Sequence, residues 1–134
     1  MTSQEQANIA LVKRFYQYLE DGDRDGAYAN VIDPDCELHE CAALPYGGVY
    51  KGRERMKAVL QGVMAGFDEF TCEIRNYLAG GDEVVCHLLL SGVGRESRKP
   101  FTVPVMELWR IRDGKVVELR PFLFEPDAIA GVLA

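Results

Sequence analysis

The sequence predicts an α+β fold, and three observations carry that reading. Helical periodicity fills most of the first half of the chain, and two glycine-marked turns join four strand-like runs in the second. With 134 residues and 48% hydrophobic content, the chain suits one compact core and is too short for two domains of ordinary size. Residues 1–134 therefore read as one domain.

Ser3 followed three residues later by Gln6 reads as a capping box opening the first helix. Leu11, Val12, Phe15, Tyr16 and Leu19 then recur at helical spacing and give one broad apolar face. Asp21-Gly22 should end that helix, because glycine commonly follows a helix end. A shorter second helix is predicted from Arg24 to Val31, broken by Asp33-Pro34-Asp35. Residues 36–41 read as a short strand. Leu44 to Tyr50 read as a Gly/Pro-rich loop holding Tyr46 and Tyr50. Lys51 to Met64 carries apolar residues at 56, 59, 60, 63 and 64, the pattern of a third helix closed by Gly66.

Strands are predicted at 70–79, 83–93, 101–112 and 115–124, with hairpin turns at Gly80-Gly81 and Asp113-Gly114. Alternation sorts each strand into two faces. Val84, Cys86, Leu88 and Leu90 should meet the helices, which turns His87 outward. Val117, Leu119, Pro121 and Leu123 form an apolar face, with Glu118 and Arg120 opposite. In 101–112, Arg110 and Arg112 mark the outer face, so Val103, Val105, Glu107, Trp109 and Ile111 face inward. Glu107 does not belong there. An ionised carboxylate among apolar neighbours is costly, so it either finds solvent or an arginine, or its pKa rises. The outer face carries Leu89, Met106, Leu108 and Phe122, an apolar patch that predicts a homodimer through the convex side of the sheet.

The net charge of −6 argues against nucleic acid or an anionic membrane surface as partner. No run approaches the ~20 apolar residues of a membrane span. Met1 to Gln6 lacks the features of a signal peptide, so a cytoplasmic location is expected. Cys36, Cys41, Cys72 and Cys86 contain no C-x-x-C pair and read as reduced thiols, with Cys36–Cys41 the one disulfide to weigh. Asp21, Asp23, Asp25 and Gly26 open like a calcium loop, but Ile32 occupies the position that needs a bidentate glutamate. His39, Glu40 and Cys41 alternate along a strand and cannot all ligate one ion. No metal site and no cofactor are expected, and no phosphate-binding or G-x-S-x-G motif occurs.

The phrases Asp-Gly-Asp-Arg-Asp-Gly-Ala, Leu-Pro-Tyr-Gly-Gly-Val-Tyr-Lys-Gly and Asp-Gly-Lys-Val-Val-Glu-Leu-Arg-Pro-Phe, in this order of elements, resemble the SnoaL-like polyketide cyclases. That group belongs to the nuclear transport factor 2-like superfamily, which also holds ketosteroid isomerase. The resemblance covers nearly the whole chain. It implies three N-terminal helices on a curved, mainly antiparallel sheet of cystatin-like type, closing a cone-shaped pocket, commonly in a dimer. Ketosteroid isomerases combine a base carboxylate on the first strand with a tyrosine and a protonated aspartic acid. By motif, the resemblance places the base at His39, the protonated acid at Glu107, and the tyrosine at Phe15, where the hydroxyl is lost.

Imidazole titrates near neutrality and suits general base work, although a hydrogen-bonded surface histidine is the alternative for His39. Tyr46 and Tyr50 either cover the pocket or staple the loop to the body. Phe15, Tyr16, Tyr28, Met64, Leu88, Val105, Trp109, Leu119 and Leu123 complete the expected wall. The leading expectation is an isomerase or cyclase acting on a small apolar carbonyl compound. His39 would remove a proton, and a neutral Glu107 would donate to the enolate oxygen. A binding module without catalysis, or a dimeric scaffold using Arg110, Glu118 and Arg120, are the alternatives.

Overall fold

The computed structural model describes residues 1–134. Helix α1 (Ser3–Glu20) starts one residue earlier than its sequence signal. Thr2, not Ser3, is the N-cap: its hydroxyl accepts from the Glu5 amide at 3.1 Å, and the Glu5 carboxylate accepts from the Thr2 amide at 2.9 Å. An acid completes this box better than Gln6, since negative charge also suits the positive end of the helix. Glu5 further accepts from the Gly81 amide at 2.8 Å, which ties α1 to a sheet turn.

Helix α2 (Arg24–Val31) is capped by Asp23, whose carboxylate accepts from the Gly26 amide at 2.9 Å. The acidic run around Asp23 is thus a helix connection. Strand β1 (Ile32–Glu40) runs longer than expected, because Pro34 falls in an irregular stretch between Ile32 and Glu37 where no ladder bond is lost. The predicted loop contains a short strand, β2 (Gly48–Lys51), paired antiparallel with β1. Helix α3 (Arg53–Met64) follows.

Strands β3 (Phe67–Gly80), β4 (Glu83–Gly94), β5 (Pro100–Arg112) and β6 (Lys115–Leu123) form the antiparallel run. The sheet order is β2-β1-β6-β5-β4-β3, with β1 and β6 parallel, so the six-stranded sheet is mixed. Asp113 and Gly114 turn with φ of 50° and 74°, the primed geometry expected of such a hairpin. The other turn is Gly81-Asp82, since Gly80 pairs with Glu83. Two register shifts interrupt the β3–β4 ladder, between Asp68 and Thr71 and between Ile74 and Asn76.

Alternation holds in β4 and β5, where Val84, Cys86, Leu88, Val103, Val105, Trp109 and Ile111 are buried. It fails once in β6. A bulge beside Arg110 makes Val116 the buried residue and sends Val117 outward. The sequence also gave no warning of helix α4 (Pro126–Leu133), which buries Ile129 and Val132 over β4 and β5. Its docking requires Gly94, where a Cβ would lie 2.3 Å from the Val132 carbonyl oxygen. No helix is long and apolar enough to cross a membrane. The fold is α+β, with four helices on the mixed sheet.

Candidate active site

Helices α1, α2 and α3 stand off the concave face of the sheet and leave a cavity of about 480 Å³. Phe15, Leu88, Val105, Trp109, Leu119 and Leu123 form much of its apolar wall. Phe15 packs edge-on against both Tyr28 and Trp109, with centroids 5.4 and 5.3 Å away. Tyr28 and Met64 reach the same space from the helices. Tyr46 also lines it, but Tyr50 does not: the Tyr50 hydroxyl donates to the Tyr46 carbonyl at 2.9 Å and staples the loop.

Glu107 faces this wall, as its strand parity predicts. The Tyr16 hydroxyl donates to its Oε1. Burial raises the Glu107 pKa to about 7, while the Tyr16 hydrogen bond and the nearby Trp109 indole pull it down. The indole N–H of Trp109 is itself a buried donor without a well-formed partner. Burial and the Glu107 charge push the Tyr16 hydroxyl well above its usual range, so it stays a donor. The tyrosine that reaches the carboxyl is thus Tyr16, one residue after Phe15. Successive helix positions lie ~100° apart, so a broad apolar face holds both rings.

His39 does not meet Glu107. Its Nε2 lies 3.0 Å from Glu37 Oε1 and 3.8 Å from Glu118 Oε1, on the other side of β1, and it is absent from the cavity wall. The physical reason is strand parity. Cys36 and Leu38 are fully buried, so Glu37 and His39 must point away, and Glu40 points in. Glu37, His39 and Glu118 bring three potential ligand atoms within 4.8 Å. The Glu118 carboxylate is already taken up by Arg110 at 3.4 Å and Arg120 at 3.1 Å.

Glu40 is the group that sequence reasoning missed. Burial first, then the charge of Glu107, raises its pKa to about 8. Neither carboxyl has a cationic partner: no lysine, arginine or histidine lies within ion-pairing distance of Glu40 or Glu107. The signal existed, since Glu40 continues the apolar positions 36 and 38 just as Glu107 interrupts those of β5. Cys72 lines the cavity too. Burial and the Glu107 charge raise the Cys72 thiol above its usual range and hold the Cys86 thiol at about 12, so neither is a nucleophile. All four cysteines are free.

The arrangement therefore sets two carboxyls with raised pKa values, about 8 and about 7, in one largely apolar cavity. Comparisons with known proteins agree on the architecture. An NTF2-like protein from Burkholderia thailandensis superposes with a TM-score of 0.86 at 23% identity, covering 95% of this chain and 97% of that one. A Jannaschia sp. CCS1 protein, provisionally assigned as a SnoaL-like polyketide cyclase, gives 0.86 at 22% identity, covering 100% and 96%. TerC, co-crystallised with polyporic acid, gives 0.81 at 21% identity, covering 95% and 98%. At such identities the likeness concerns the fold. No match was found among curated proteins. The SnoaL-like domain model matches residues 12–119, and on that match the chain belongs to the SnoaL-like domain family.

Proposed function

We propose that this cavity is the active site of an isomerase or cyclase that uses its own side chains to move a proton beside the carbonyl of an apolar substrate. One observation carries the reading: Glu40 and Glu107 face the same apolar space, neither in an ion pair, and their pKa values are raised to about 8 and about 7. Two such groups share one negative charge near neutral pH. Donation from Tyr16 favours that charge on Glu107, which leaves Glu40 protonated.

Glu107 is then the base and Glu40 the donor, the reverse of the role the family resemblance implies for Glu107. The Glu107 carboxylate takes a proton from the carbon next to the carbonyl, and the C–H electron pair becomes the enol double bond. The carbonyl oxygen receives the Glu40 proton. In a β,γ-unsaturated ketone, delivery of the Glu107 proton to the γ carbon, with the enol O–H proton going back to Glu40, completes an isomerisation. Attack of the enol carbon on a second carbonyl of the same molecule, with the enol O–H proton going back to Glu40 and the Glu107 proton passing to the new alkoxide oxygen, completes a cyclisation. A positioned base contributes ~100- to 10,000-fold, and a donor to the oxygen ~100- to 1,000-fold.

Deuterium uptake from heavy water into 2-tetralone, followed by mass spectrometry, tests the proton step without the natural substrate. The wild-type chain should exchange the probe well above the buffer rate. Exchange no faster than buffer, with binding intact, would leave only a ligand-binding module.

A separate observation supports self-association. Met106 and Phe122 are 45% and 57% exposed on the convex face, beside Val85, Leu108 and Phe124. We propose that a second copy covers this patch. Sedimentation should give a dimer at micromolar concentration, and Phe122→Lys should give a monomer. A wild-type monomer would remove the proposal.

A further inference from the structure

The cavity wall carries one cation. Arg24, the first residue of α2, lines the same space as Glu40 and Glu107, and every other charged residue on that wall is a glutamate. Its guanidinium makes one hydrogen bond within the protein, to a thioether, with Nη2 3.7 Å from Met64 Sδ. It forms no ion pair with Glu20, Glu40 or Glu107, although all three share the wall. Glu20 is exposed at the rim, at the end of α1.

One turn along α2, at the spacing that brings side chains together, stands Tyr28. This residue is only 4% exposed, yet its hydroxyl has no hydrogen-bond partner in the protein and is not sealed off from space. Burial raises the Tyr28 pKa to about 12, and the Arg24 charge opposes the rise. The hydroxyl therefore remains a donor at any physiological pH. A half-buried guanidinium has five donors, and here only Nη2 has a partner in the protein, a sulfur. An arginine without a functional role would swing into water, where its charge is solvated and its stem still covers apolar surface.

The geometry points to an anion subsite made by Arg24 and Tyr28, which selects carbonyl substrates bearing a carboxylate or another acidic oxygen. The guanidinium fork matches a planar carboxylate, and the phenol adds one donor from the same helix face. This deepens the reading of the cavity as a ligand site and rests on it, but it requires nothing of the proton chemistry. It also orients the substrate: an acid anchored at Arg24 points the remainder of the molecule at the apolar wall and the two carboxyls.

Equilibrium binding tests it. Trp109 is the only tryptophan and lines the cavity, so its fluorescence reports occupancy. The probes are biphenyl-4-carboxylate and its uncharged primary amide, titrated at about pH 6, where the raised pKa values keep Glu40 and Glu107 largely neutral. The carboxylate should bind about tenfold tighter than the amide, the size of one charge-assisted contact. Arg24→Met keeps the apolar stem, and it should abolish that preference while the amide affinity stays within about twofold. Arg24→Lys should keep part of the preference, and Tyr28→Phe should lower carboxylate affinity alone. Amide and carboxylate binding equally well to the wild type would overturn the anion subsite and leave the apolar pocket standing. Equal losses of both probes in Arg24→Met would do the same. Failure of both probes to bind would overturn the subsite and the ligand-site reading together.

Discussion

Glutamates stand on both faces of this sheet, and the two faces treat them differently. On the convex side, Glu118 lies between Arg110 and Arg120, and Glu83 takes a second contact from Arg110 at 3.0 Å. His39 and Glu37 join the same group. On the concave side, Glu40 and Glu107 face a mostly apolar wall and neither forms an ion pair, and burial raises both pKa values. Matched charge is a structural arrangement that water and arginine can satisfy. Unmatched charge in a hollow costs stability and keeps a proton available near neutral pH. The contrast supports the concave face as the place of the proposed chemistry.

The sharpest way to break the contrast is kinetic. Glu107→Gln should lower 2-tetralone exchange at least ~100-fold and nearly as far as Glu107→Ala, because an amide is no base. Glu40→Gln keeps a donor, so it should lose clearly less than Glu40→Ala. A mild Glu107→Gln with a severe Glu40→Gln would exchange the two roles. Exchange should peak between the two raised values, about 7 and about 8, since it needs Glu107 charged and Glu40 protonated.

Stability gives the next largest effect, and its sign differs between faces. Glu40 and Glu107 bind protons more tightly folded than unfolded, where the ordinary value is 4.5. Their contribution is full below that value and is lost as pH rises through about 7 and about 8. Thermal melts should therefore fall across this window. At pH ~9, Glu107→Gln should be more stable than the wild type by on the order of 2 kcal/mol, with the advantage shrinking toward pH ~5. On the convex face, Glu118→Gln should instead destabilise by about 1 kcal/mol, since it leaves two arginines facing each other's charge. Stabilisation by both substitutions in denaturant melts would erase the distinction between the faces.

Tyr16→Phe sharpens the comparison by the smallest step. Removing this donor should raise the Glu107 pKa, so the acid limb of the exchange profile moves to higher pH. An unmoved limb would show that Tyr16 does not tune the base.

How much of this was legible depended on strand length. β5 is long enough for Arg110 and Arg112 to fix its parity, which exposed Glu107 as an intruder. β1 pairs with β2 and β6 through only a few regular residues, and its histidine drew attention that parity would have given to Glu40. The bulge that turns Val116 inward inserts one residue, a change alternation cannot anticipate. On α1, spacing alone placed Phe15 and Tyr16 on one face but could not say which ring would find the carboxyl. Helix α4 owes its position to packing over β5.

Isotope-edited NMR of the glutamate side-chain carboxyls, titrated across the neutral range, tests the central claim most directly. The account predicts two resonances, lost or shifted in Glu40→Gln and Glu107→Gln, that titrate near 8 and near 7. Every glutamate finishing its titration by pH ~5, as water-exposed carboxyls do, would contradict it.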